Sequence, residues 1–101
     1  GKEHISQIVS IVFADVQKRL AEEELTIKLT DAATEFLVDH GHDEHFGARP
    51  LKRAIQRYIE DPLSEKILTA EFSKGDEIEV DVSAIDKTKL EFRVLSPTPQ
   101  A

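Results

Sequence analysis

Residues 40–53 read His-Gly-His-Asp-Glu-His-Phe-Gly-Ala-Arg-Pro-Leu-Lys-Arg and hold the densest chemistry in the chain. His40, His42 and His45, with Asp43 and Glu44, carry the donor atoms of a zinc or nickel site. Their spacing argues against one. Ligand pairs on a helix sit four residues apart so that both rings share a face, and Gly41 is expected to break the helix where such a pair is needed. The histidine-rich half is read as a solvated loop between helices, with no metal expected.

Catalysis by this chain alone is not expected either. A nucleophile or an acid–base pair needs partners held at hydrogen-bond distance in a cleft. No nucleophile-elbow glycine pattern surrounds any serine, and the four glycines, Gly1, Gly41, Gly47 and Gly75, are too scattered for a Walker-type phosphate loop. The second half of the stretch offers something different. Gly47-Ala48-Arg49-Pro50 opens a helix whose first N–H groups are unpaired and whose dipole favours an anion. Gly47 lets the backbone turn sharply, and Pro50 fits a first helical turn, where its missing N–H costs nothing. Arg49 presents a planar, permanently charged fork suited to phosphate oxygens. The same fork suits a carboxylate, and residue chemistry alone leaves both open.

The elements that must position this stretch follow from periodicity. Ile5, Ile8, Val9, Val12, Val16 and Leu20 mark an amphipathic helix of about five turns. Leu25 to Leu29 alternates as a strand, and Thr30 or Asp31 is placed to cap a second helix with Ala33, Phe36 and Leu37 inside. Gly41 is expected to close that helix as a left-handed cap. A third, long helix opens at Pro50 and buries Leu51, Ala54, Ile55, Tyr58 and Ile59. Pro62 should kink or restart it, with Asp61 as a cap, and Leu63, Ile67 and Leu68 continue the apolar face. After a turn at Lys74-Gly75-Asp76, two alternating segments around Ile78–Val82 and Leu90–Val94 form an antiparallel pair. The predicted fold is a small α+β domain over residues 1–95, with a three-stranded sheet covered by helices in the order α-β-α-α-β-β. Residues 96–101 are expected to form a disordered tail.

A chain of 101 residues supports one modest core, burying about 60 to 70% of its unfolded surface. Its 20 acids against 13 bases give a net charge of -7, which disfavours nucleic acid and anionic membranes as partners. There is no cysteine, hence no disulfide or thiol chemistry. No apolar run approaches the length of a membrane span, and no secretory signal pattern is present, so a cytoplasmic location is expected.

Phe46-Gly47-Ala48-Arg49-Pro50-Leu51-Lys52-Arg53-Ala54-Ile55-Gln56, followed by Ile59-Glu60-Asp61-Pro62-Leu63, closely resembles the small (lid) subdomain of the second ATPase module in Clp/Hsp100 AAA+ unfoldases of the ClpB and ClpC type. The resemblance extends to the leading helix, to Leu29–Ala33 and to the Lys74-Gly75-Asp76 turn. It departs at His42 and His45, where aromatic or small residues are more usual. It implies that Gly-Ala-Arg-Pro is the sensor 2 motif, with Arg49 reaching the terminal phosphates of ATP and Gly47, Ala48 and Pro50 shaping the opening of the helix.

The resemblance further implies that the Walker loop, the Mg2+-holding acids and the water-polarising glutamate lie on a large subdomain outside this sequence. The chain would then be no enzyme by itself. It would serve a homohexameric, ATP-dependent protein unfoldase by packing against the large subdomains of its own and the neighbouring protomer, with a ClpP-type peptidase as a possible further partner. The alternative from the residues alone is a free-standing acidic protein-interaction module in which Arg49 merely pins a helix terminus.

Overall fold

A computed structural model describes residues 2–41 and 49–95. The expected tail, residues 96–101, lies outside the described residues. The elements run α1 (Lys2–Glu22), β1 (Thr26–Leu29), α2 (Asp31–Gly41), α3 (Arg49–Ile55), a π-helical turn (Gln56–Glu60), α4 (Asp61–Leu68), β2 (Glu77–Val82) and β3 (Leu90–Leu95). The predicted α+β class and element order are those observed.

The sheet is mixed, with β2 in its centre. β1 joins it in parallel, pairing Ile27 with Ile78, and β3 joins it antiparallel, pairing Val80 with Phe92. Ile27, Ile78 and Val80 are buried beneath the helices, together with Val9, Phe13 and Val16 of α1 and Leu37 of α2. The outer edge of β1 is partly covered by α1, where Gln17 Nε2 donates to the Ile27 carbonyl at 3.1 Å. No helix among the described residues is long and apolar enough to cross a membrane.

Thr30 is the cap of α2: its Oγ1 accepts the Ala33 N–H at 3.0 Å and donates to Asp81 Oδ1 at 2.8 Å, tying the helix start to β2. Asp81 also accepts the Val82 N–H and pairs with Arg93, which in turn bridges to Glu79. The Thr30 hydrogen bond, then the Val82 N–H, hold the Asp81 carboxyl below its ordinary range.

Two helices end in a way that composition hides. At the end of α1, Leu25 N–H bonds the Leu20 carbonyl and Glu24 N–H bonds the Ala21 carbonyl, with Glu24 at φ 60°. After α4, Glu71 N–H bonds the Lys66 carbonyl and Ala70 N–H bonds the Ile67 carbonyl, with Ala70 at φ 57°. Both are Schellman closures, and in both the left-handed position holds a residue other than glycine. Leu20 and Leu25, the positions that such a closure brings together, are both buried in the core.

Three expectations are corrected. Gly41 is not a left-handed cap: Gly75 is the glycine with positive φ among the described residues, and Gly41 is the buried last residue of α2. Asp61 does not cap α4 through its side chain; it is the first residue of α4, and its N–H bonds the Gln56 carbonyl, closing the wide turn. That turn answers Pro62, whose ring would clash with the Tyr58 carbonyl in a regular helix; widening by one residue moves the carbonyl aside without breaking the rod. Leu68 does not extend the apolar face, being 84% exposed at the end of α4.

Candidate functional site

The site begins where α2 hands over to α3. Gly41 sits directly against the first turn of α3: a Cβ at Gly41 would lie 2.7 Å from the Leu51 Cα. Such a contact permits no side chain, so the two backbones approach as closely as helices can. Leu51, Ala54, Ile55 and Ile59 are buried along the inward stripe of the following rod, and Pro50 is half-buried in its first turn. The direction of α3 is therefore fixed by packing at its start and along its length. Arg49 is the first residue of that rod. Gly47 and Ala48, with the side chain of Arg49, lie outside the described residues.

His40 belongs to a different construction from the one its neighbours suggest. Its ring stacks on Phe36 with centroids 3.9 Å apart, and its Nδ1 lies 2.8 Å from the Phe36 carbonyl. Tyr58 meets both rings edge-on, at 5.0 Å from Phe36 and 5.1 Å from His40. The three rings clamp the end of α2 to the π-helical turn. His42, Asp43, Glu44 and His45, the rest of the candidate metal set, lie outside the described residues. No group of three metal-binding side chains is assembled among the described residues.

Charge around the site is segregated. Between Glu44 and Glu60 the chain carries four bases, Arg49, Lys52, Arg53 and Arg57, and no acid. Lys52, Arg53 and Arg57 are exposed and form no ion pair among the described residues. The Arg57 guanidinium stands 5.4 Å from the Tyr58 ring centroid. Arg53, Arg57, Tyr58, His40 and Pro50 line one shallow cleft. By contrast, the cleft between α1 and α4 carries Glu23, Glu60 and Asp61, with Arg19 paired to Glu60.

The aromatic trio is not evident from the sequence, where Tyr58 reads as core. Two local signals do point to the trio and its flanking arginines: Phe36 and His40 stand four residues apart, as do Arg53 and Arg57, which sets each pair on one helical face.

A family model described as the C-terminal, D2-small domain, of ClpB protein matches residues 1–80. The chain is 47% identical over 81 residues to the negative regulator of genetic competence ClpC/MecB of Bacillus subtilis, covering 80% of this chain and 10% of that protein. It is 41% identical over 98 residues to the chaperone protein ClpB of Gloeobacter violaceus, covering 97% of this chain and 11% of that protein. With the chaperone protein ClpB of Meiothermus ruber it shares 51% identity over 75 residues, covering 74% of this chain and 9% of that protein. The chain thus spans about a tenth of the length of these relatives.

Proposed function

Because the chain belongs to the family of the C-terminal, D2-small domain of ClpB protein, we propose that it is the nucleotide-sensing lid of an ATP-dependent protein unfoldase, with Arg49 as the sensor. The observation that carries this reading is the placement of Arg49 as the first residue of a rod whose start is locked onto α2 by the Gly41–Leu51 contact. A cation on such a support moves with the whole domain rather than with a loose loop. The run between Glu44 and Glu60 carries no acid, which supports a phosphate ligand for Arg49.

ATP bound in the complete protein supplies a γ-phosphate on which charge builds as the terminal bond breaks. Arg49 would stabilise that charge, and Pro50 and the packed first turn would hold its backbone in place. The coupling to movement follows from the same geometry. If the Arg49 fork engages the phosphate, the orientation of the rigid lid depends on whether phosphate is present, and loss of phosphate releases the domain as a unit. The remaining machinery, including the residues that hold Mg2+, would reside on a large subdomain.

We also assign the lid a part in ring assembly, through contacts to the large subdomains of its own and the neighbouring protomer of a hexamer, with a cytoplasmic site of action. Sedimentation of the full-length protein with and without this domain tests that part: the deletion should shift hexamers toward smaller species, and an unchanged ring would contradict it. The sensor assignment is tested by nucleotide turnover of an Arg49→Ala variant of the full-length protein.

A further inference from the structure

The structure carries a second basic feature, separate from the opening of α3. Arg53 and Arg57 stand one turn apart and line the same cleft with Tyr58 and His40. On its other side, Arg57 and Tyr58 line a second open cleft, of about 480 Å³, together with Pro62, Lys89 and Leu90. Like charges four residues apart on a helix repel, and neither arginine is offset by an acid among the described residues. Beside them, Tyr58 packs edge-on against Phe36 and His40, Phe36 is buried, and the Arg57 guanidinium stands 5.4 Å from the Tyr58 ring centroid. A tyrosine flanked by guanidinium groups has the composition of an interface hot spot.

We propose that this face, Arg53 and Arg57 around Tyr58 and His40, docks an acidic polypeptide segment that carries an apolar or aromatic anchor. Carboxylates on the segment pair with the two guanidinium forks, and the anchor lies on the Tyr58 ring in the cleft bordered by Pro62 and Leu90. Charge complementarity selects the partner. Two guanidinium forks form a basic patch that is local on a chain of net charge -7, so it matches a segment with a few carboxylates better than the long, dense charge of a nucleic acid.

The test is a titration of the 101-residue chain, followed by amide and arginine side-chain NMR signals at low ionic strength. The probe is a synthetic peptide that alternates glutamate pairs with leucine and phenylalanine. Saturable shifts should map to His40, Arg53, Arg57 and Tyr58, and Arg53→Glu/Arg57→Glu should weaken binding about tenfold or more. Both side chains are exposed, so the double variant should keep the wild-type spectrum elsewhere. Three results would overturn the proposal: no binding, equal shifts at the exposed Lys18 and Lys28, or binding of inorganic triphosphate or a short RNA at these residues without binding of the peptide. Arg49 stays native throughout, so a failure of docking is distinguishable from a failure of nucleotide sensing.

Discussion

Gly41 and Leu51 meet backbone to backbone, so closely that a methyl group on Gly41 would sit 2.7 Å from the Leu51 Cα and 2.9 Å from its Cδ1. Inside a helix, alanine is favoured over glycine by about 1 kcal/mol. Here the obstacle is a backbone atom on a packed rod, which cannot step aside as a flexible side-chain end would. Gly41→Ala should therefore destabilise the domain by about 1–3 kcal/mol despite the propensity gain. Urea denaturation of the isolated chain checks this, and a variant as stable as the wild type would show that α3 can slide on α2.

The opposite sign is expected at the two Schellman closures. Glu24 and Ala70 occupy left-handed backbone at φ 60° and 57°, which costs a residue with a Cβ about 1 kcal/mol that glycine does not incur. Ala70→Gly should raise stability by about 0.5–1 kcal/mol. Glu24→Gly should do the same, less the small contribution of its exposed ion pair with Lys74. Thermal or urea midpoints that fall in both variants would contradict the closure geometry.

Acid should act through Asp81. Its carboxyl is held below the ordinary value of 3.8 by Thr30, the Val82 N–H and Arg93. A depressed folded-state value means that the stabilisation is complete above the unfolded-state value and is lost as pH falls through the folded-state value. The stability gap between wild type and Asp81→Asn should thus be widest near neutrality and close in strong acid. Urea midpoints across that range measure it, and a gap independent of pH would mean that the Thr30–Asp81 link does not depend on the charge.

The helices and strands are legible in the sequence because their apolar spacing is strict: Val9, Val16 and Leu20 fall on one face of α1, and Ile78 and Val80 alternate along β2. Phe13, absent from the predicted stripe, is buried to 3% exposure: four residues after Val9 and three before Val16, it lies on the same face as both. Leu68 is misplaced because it stands five residues after the buried Leu63 in α4, about 140° round the helix and off its inward face. Gly41 reads as a terminator because sequence shows a glycine's freedom and not what lies against it. The parallel pairing of β1 with β2 brings together residues about fifty positions apart, and no local pattern announces it.

The candidate site divides along the same line. Arg49 is recognisable from its motif, since Gly-Ala-Arg-Pro is a local signal. The Phe36–His40–Tyr58 clamp depends on α2 and the π-helical turn meeting in space, and sequence alone groups the histidine in it with its chain neighbours.

Single-turnover ATP hydrolysis by the full-length protein carrying Arg49→Ala tests most directly whether Arg49 senses nucleotide. Loss of one preorganised donor to a developing phosphate charge should slow the chemical step by about 10²-fold, with the domain still folded. Unchanged hydrolysis and unchanged nucleotide affinity would contradict the sensor and leave Arg49 as a residue that only pins the start of α3.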